Sequence, residues 1–207
     1  MKKILLKIVI FLIFVNVGFG DVIQILGDYY SIDKGKVYYG NEILEGANPK
    51  TAELIGFSLL KDDKNVYYMG EKIKDVKIKN FEKLGQNYWK NDNKIYYRDK
   101  KIENADIMSF KVLNEDYAKD KNHIYRGSEA IDSSLSGKIK DPETFEFLPN
   151  GIIYGTLYGK DKYNVYYIEN KMINCFDTYY SIYEVKGINK GKAEVLNYWF
   201  IKDDKNI

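Results

Sequence analysis

The feature that most constrains this chain is a short aromatic run that returns at a fixed interval. Val37-Tyr38-Tyr39, Val66-Tyr67-Tyr68, Ile95-Tyr96-Tyr97, Ile124-Tyr125-Arg126 and Val165-Tyr166-Tyr167 place their first tyrosines 29, 29, 29 and 41 residues apart. Other columns keep the register. Eight residues before that tyrosine stand Tyr30, Leu59, Tyr88, Tyr117 and Tyr158, and five before it stand Asp33, Asp62, Asn91, Asp120 and Asp161. An apolar pair at spacing three, such as Ala52 with Ile55 or Phe81 with Leu84, lies farther upstream, and Ile73, Ile102, Ile131 and Met172 follow six residues downstream. Agreement across so many columns means that one small structural unit is built repeatedly.

The long fourth interval has a local cause. Six extra residues lie between Ile131 and Phe145, and six more between Phe145 and Tyr166. They include Ser133, Ser134, Ser136, Gly137, Pro149, Asn150 and Gly151, which is loop composition. A further insertion follows Met172, and Thr178 to Val185 reads as an added strand.

Each unit carries its own hairpin signal. Asp33-Lys34-Gly35, Asn91-Asp92-Asn93 and Asp120-Lys121-Asn122 separate two β-prone runs. A three-residue loop with its last residue at positive φ suits Gly35, Asn93 and Asn122. Lys64 and Tyr163 fall in the same slot, so those two turns are expected to be looser or strained. That loop length puts Tyr30 opposite Tyr38, Tyr88 opposite Tyr96, Tyr117 opposite Tyr125 and Tyr158 opposite Tyr166. Alternation sends the Val/Ile column and the second tyrosine to the other face, so both faces are apolar. A hairpin apolar on both sides is stable in water only when neighbours cover it.

Between hairpins, Asn48-Pro49-Lys50-Thr51 and Asp141-Pro142-Glu143-Thr144 place an N-cap residue before a proline, which reads as one helical turn. Phe110-Lys111-Val112-Leu113 also suits a strand. The fold expected is mainly β, a tandem array of about five and a half stacked β-hairpin repeats of 29-residue period joined by short helical turns. The units run over about 23–51, 52–80, 81–109, 110–144 and 145–192, with a partial unit over 193–207. Ala193, Leu196, Phe200 and Asp203 restart the register, and the sequence stops where the next Tyr-Tyr is due. That half-unit is expected to lack its second strand and to fray or cap the array poorly.

The segments Asp63-Lys64-Asn65-Val66-Tyr67-Tyr68 and Asp161-Lys162-Tyr163-Asn164-Val165-Tyr166-Tyr167 resemble the DKNYY repeat family of bacterial, mostly exported, proteins. The resemblance covers essentially the whole chain after its leader, and it implies no activity, substrate or catalytic residue. Arg126 departs from the pattern where a second tyrosine is due, which places that position beside solvent in the fourth unit.

Lys2, Lys3 and Lys7 precede an apolar run from Ile8 to Val15, and Gly18 and Gly20 supply small residues at a cleavage spacing. Residues 1–20 therefore read as a signal peptide cleaved after Gly20, leaving 21–207 exported, to the periplasm or beyond. The run falls short of the roughly 20 residues that span a bilayer, so no stable membrane span remains after cleavage. Loss of three lysines takes the net charge from +2 to about −1, which gives no footprint for nucleic acid. Cys175 is the only cysteine, so an internal disulfide is excluded and Cys175 reads as a small buried hydrophobe. His123 is the only histidine and sits in a column of polar turn residues, which reads as a solvated edge. No cofactor is implied, and counting leaves no histidine or cysteine cluster for a metal. Asp62-Asp63 and Asp203-Asp204 recur at turns, where aspartate has its own backbone role, and lack calcium-loop spacing. Ser133 and Ser134 have no nucleophile-elbow context.

Three functions follow as expectations. The first is a non-catalytic binding or scaffold array at the cell envelope, with Tyr38, Tyr67, Tyr96, Tyr125 and Tyr166 as the binding surface for a glycan or protein partner. Core packing is the other reading of that ladder, and solvent exposure of the column separates the two. The second is a structural envelope protein that fits one protein partner without a ligand pocket. A hydrolase using two carboxylates is the third.

Overall fold

The computed structural model describes residues 23–76, 78–132, 137–153, 156–172, 178–197 and 199–206. The signal peptide expected over residues 1–20, Ser133, Ser134, Ser136 and Cys175 lie outside the described residues.

One antiparallel sheet forms per period. The first repeat folds as β1 (Gln24–Gly27), β2 (Tyr30–Asp33), β3 (Lys36–Tyr39) and β4 (Glu42–Ile43), and the second as β5 (Glu53–Gly56), β6 (Leu59–Lys61), β7 (Val66–Tyr68) and β8 (Glu71–Lys72). The third comprises β9 (Phe81–Lys83), β10 (Tyr88–Asn91), β11 (Lys94–Tyr97) and β12 (Lys100–Lys101). The fourth comprises β13 (Lys111–Val112), β14 (Tyr117–Lys119), β15 (Ile124–Arg126) and β16 (Glu129–Ala130). Longer strands build the fifth: β17 (Glu146–Ile153), β18 (Thr156–Lys160), β19 (Val165–Met172) and the inserted β20 (Thr178–Val185). The sixth holds β21 (Glu194–Val195) and β22 (Ile201–Lys202). Each of the first five sheets is a four-stranded meander in chain order, so the expected two-stranded hairpin is the centre of a wider unit. The sixth pairs β21 with β22, the counterparts of a unit's first two strands, and among the described residues it holds no counterpart of the Tyr-Tyr strand, the hairpin strand it was expected to lack.

The expected helical turns are present. Pro142–Thr144 and Ile78–Asn80 are single 3-10 turns, and the Thr51 amide closes a turn on the Asn48 carbonyl (3.2 Å). The apolar pairs follow these turns and fall in or beside the first strand of each unit, which resolves Lys111–Val112 as strand.

The hairpin register differs from the expected one. Tyr30 faces Tyr39, Tyr88 faces Tyr97, Tyr117 faces Arg126 and Tyr158 faces Tyr167. The first tyrosine instead faces the residue seven before it: Ser31, Leu60, Trp89, Ala118 or Gly159. Even-numbered loops cause the shift. In repeats one and three two residues close the hairpin, with Lys34, Gly35 and Asp92 at φ of 47°, 70° and 52°. In repeats two, four and five the aspartate amide bonds the residue three on, and its carboxylate replaces its own carbonyl as acceptor. Asp120 Oδ1 accepts the amides of Asn122 and His123 (2.7 and 2.8 Å). No positive φ is needed in such a turn, so Asn122 is not left-handed, and in repeat three the left-handed residue is Asp92 and not Asn93. The turns carrying Lys64 and Tyr163 are as tight as the rest, since Asp62 and Asp161 accept the matching amides at 2.6–2.7 Å.

The chain divides into two compact bodies, 1–81 and 82–207. Within each, the cores form between repeats. In the first, Tyr30, Val37 and Leu44 of repeat one pack with Leu60 and Tyr67 of repeat two. In the second, Tyr88, Ile95 and Ile102 pack with Ala118 and Tyr125, and Tyr117, Ile124 and Ile131 pack with Phe145, Leu157 and Tyr166. One face of a repeat, bearing the upstream tyrosine and the Val/Ile column, thus meets the first-tyrosine face of the next. Both faces are buried by stacking, as the alternation requires.

Upstream tyrosines fasten this packing. Tyr30 donates to the Ser58 carbonyl (3.2 Å) and accepts the Gly70 amide (3.0 Å), and Tyr88 donates to the Asp116 carbonyl (2.8 Å). A side chain at Gly70, whose φ is +83°, would meet the Tyr39 ring at 2.8 Å, so glycine lets the second tyrosine close over the next repeat.

Candidate functional site

In repeats two, four, five and six the aspartate that opens the hairpin turn is a hub. Asp62, Asp120 and Asp161 are almost fully buried, yet each carboxylate is saturated with donors. One oxygen closes the turn. The other accepts the amide that opens the helical turn upstream: Asn48 to Asp62 (3.0 Å), Asp106 to Asp120 (2.7 Å), Asp141 to Asp161 (2.8 Å) and, in repeat six, Asn189 to Asp203 (2.6 Å). That second oxygen also takes the first-tyrosine hydroxyl, 2.7 Å from Tyr125 and 2.8 Å from Tyr166. The next turn amide donates to the hydroxyl that ends the helical turn, Asp63 to Thr51, Lys121 to Ser109 and Lys162 to Thr144. Asparagine adds its own contact, with Asn65 Nδ2 donating to the Tyr67 hydroxyl (3.1 Å). Asp, Asn and first Tyr of the motif are therefore one hydrogen-bonded group that welds hairpin to linker.

The first-tyrosine column is consequently core. Tyr67, Tyr96, Tyr125 and Tyr166 are 1–6% exposed, and Tyr38 alone is half-buried. The continuous stacking surface expected from Tyr38, Tyr67, Tyr96, Tyr125 and Tyr166 does not form, because Tyr67, Tyr125 and Tyr166 pack against the preceding repeat and bond their hub aspartates, and Tyr96 stacks on Trp89 of its own repeat. Burial pushes the phenols of Tyr30, Tyr117 and Tyr166 up to about 12, and those of Tyr88 and Tyr125 higher still. A phenol whose value is raised by folding supports the fold fully below its unfolded value near 10, and that support is lost as pH rises through about 12. Buried tyrosines are accordingly expected to stay un-ionised past pH 10 and then to ionise in one step with loss of tertiary circular dichroism, followed by tyrosinate absorbance. Gradual ionisation of all twenty tyrosines with the fold intact would contradict this burial.

His123 is more than a solvated edge. Its Nδ1 lies 3.1 Å from Asp132 Oδ1, and Asp132 is 4% exposed and also accepts the Ile124 amide. Burial pushes the Asp132 carboxyl up, while the imidazole beside it pulls the other way. His123→Ala is expected to cost about 1–3 kcal/mol at neutral pH by leaving a buried carboxylate without this partner. In an Asp132→Asn background the same change is expected to cost under about 0.5 kcal/mol, measured as a double-mutant cycle in urea. Arg126 is exposed, as its place in the motif implies, and its guanidinium bonds the Tyr180 hydroxyl (2.7 Å).

Among the described residues Tyr29 and Phe57 are exposed aromatics of the first two repeats, and Tyr163, Tyr179, Tyr183, Trp199 and Phe200 are exposed in the fifth and sixth, where the sequence reading did not place them. Tyr158, Tyr167 and Tyr183 form a row across β18, β19 and β20 with centroid spacings of 5.3 and 5.9 Å, rising from a buried ring to one 45% exposed. Tyr179 and Tyr163 are also exposed, and the ammonium groups of Lys140 and Lys162 stand 4.3 and 4.9 Å from the Tyr163 ring. Two hollows of about 400 Å³ flank segment 185–188. The first is lined by Tyr163, Glu184, Lys186 and Lys190, the second by Ile188, Trp199, Phe200, Ile201 and Asn206. Only the inserted strand signalled this region in the sequence.

A repeated sheet with an Asp-Asn-Tyr weld and packing between neighbours defines a tandem-repeat β protein. The chain belongs to the DKNYY family, which matches residues 12–68 and 88–207. No curated protein and no solved structure matches it.

Proposed function

We propose that the protein is an exported, non-catalytic binding array of the cell envelope, and that its ligand surface is the aromatic strip of Tyr163, Tyr179 and Tyr183 with the adjoining hollow. The carrying observation is that the repeated tyrosines are spent on stacking, whereas these three stand exposed, Tyr163 with the ammonium groups of Lys140 and Lys162 over its ring, as rings that stack on sugar faces or partner side chains do. Export rests on the charged and apolar segments of residues 1–20. Among the described residues Glu184 is the one carboxylate lining the first hollow and the second has none, which favours binding over two-carboxylate hydrolysis.

The test is retention of isolated cell-envelope glycan by the mature protein, compared with a Tyr163→Ser, Tyr179→Ser, Tyr183→Ser variant of unchanged circular dichroism. Loss of retention in the variant is expected. Equal retention would refute this surface, and capture of a single protein with no glycan would support the structural-partner reading instead.

A further inference from the structure

Repeat five departs from the repeat pattern at two positions that meet in space. In the linkers before repeats two, four and six, the residue preceding the amide that reaches the hub aspartate is Ala47, Ala105 or Ile188, and each packs against a core. Before repeat five it is Lys140, which is exposed. The second residue after the hub aspartate is Lys64, Asn122 and Lys205 in those three repeats and Tyr163 in the fifth. The Lys140 ammonium stands 4.3 Å from the centroid of the Tyr163 ring, which is 48% exposed. Stacking needs neither residue, and positions that break a structural pattern together are where function is found.

Two more ammonium groups gather at the same place. Lys162 Nζ lies 4.9 Å from that centroid, and Lys190 Nζ donates to the Lys162 carbonyl. Asp141, 12% exposed, pairs with Lys162 at 2.5 Å. Among the described residues neither Lys140 nor Lys190 is paired with a carboxylate, and Glu184 shares the first hollow with Lys186. A ring face attracts an ammonium without neutralising it. Positive charge is therefore concentrated around one exposed phenol ring, on a chain whose net charge is only +2.

We propose, on the basis of the binding function above, that this cluster makes the aromatic strip selective for acidic glycans. A carboxylate or phosphodiester of the polymer bridges the ammonium groups of Lys140 and Lys162 beside Tyr163, and Lys190 adds charge at the rim. Lysine suits such a ligand, because a compact ammonium binds a polyanion as a point charge and imposes no planar geometry on it.

The probes are polygalacturonate, its methyl ester, which caps the acid on the same sugar backbone, and a glucosylated poly(glycerol phosphate). The mature protein is expected to bind one or both acidic polymers on the order of tenfold more tightly than the ester, because two exposed ion pairs are gained. That preference should fall with added salt. Which acidic polymer is preferred tells carboxylate from phosphodiester. Lys140→Ala, the residue of this column at Ala47 and Ala105, is expected to remove most of the preference and to leave ester binding unchanged, whereas Lys140→Arg keeps it. Lys94→Gln with Lys100→Gln, exposed lysines of repeat three, should also keep it. Ester and acidic polymers bound equally would overturn the acid selectivity and leave the aromatic strip standing, and binding of none of them would remove both. An equal loss from the repeat-three pair would show charge spread over the chain and overturn the site.

Discussion

Asp120→Ala is expected to destabilise the protein by about 3–5 kcal/mol, because it strips four donors of one buried acceptor at once. The amides of Asn122, His123 and Asp106 and the hydroxyl of Tyr125 all converge on that carboxylate at 2.7–2.8 Å. No water replaces it cheaply, since Asp120 is 1% exposed. Asp33→Ala is the matched control. Its hairpin closes through Lys34 and Gly35 in the left-handed region, so it should cost under about 1 kcal/mol. Urea unfolding of the two variants decides the matter, and equal costs would remove the hub from the account.

The second large effect is steric. Gly159 lies opposite Tyr166 in the column otherwise filled by Ser31, Leu60, Trp89 and Ala118, and the Phe145 ring occupies the space of its missing side chain. A Cβ there would overlap Phe145 Cζ and stand 2.5 Å from Cε2. Phe145 is fully buried and has no room to retreat, so Gly159→Ala is expected to cost about 3 kcal/mol. Adding Phe145→Leu should recover at least about 1 kcal/mol, because the pair is coupled through one volume. A double variant no more stable than Gly159→Ala would contradict this packing.

These two sites show what was legible in the sequence. The period, the β class, the linker turns at Asn48 and Asp141 and the added strand at 178–185 all follow from residue spacing. Hairpin register does not, because Asp62, Asp120 and Asp161 replace a backbone carbonyl with a carboxylate, and composition alone does not separate that turn from a three-residue loop. The outer strands escape detection as well, for Glu42–Ile43 and Glu71–Lys72 are too short to show a period. The His123–Asp132 pair is hidden because Lys74 and Glu103, ordinary surface residues, occupy the Asp132 column in other repeats. Exposure of the tyrosine ladder is a property of stacking, and spacing states only that both faces are apolar.

In repeats two, four, five and six one aspartate joins the hairpin turn to the helical turn before it. Amide hydrogen exchange by nuclear magnetic resonance reads that bond directly at Asp106 and Asp141, whose N–H groups belong to linkers and have no strand partner. Both amides are predicted to exchange as slowly as the strand amides of Ile124 and Val165. Exchange at the rate of open loops would show that the linkers are not welded to the turns.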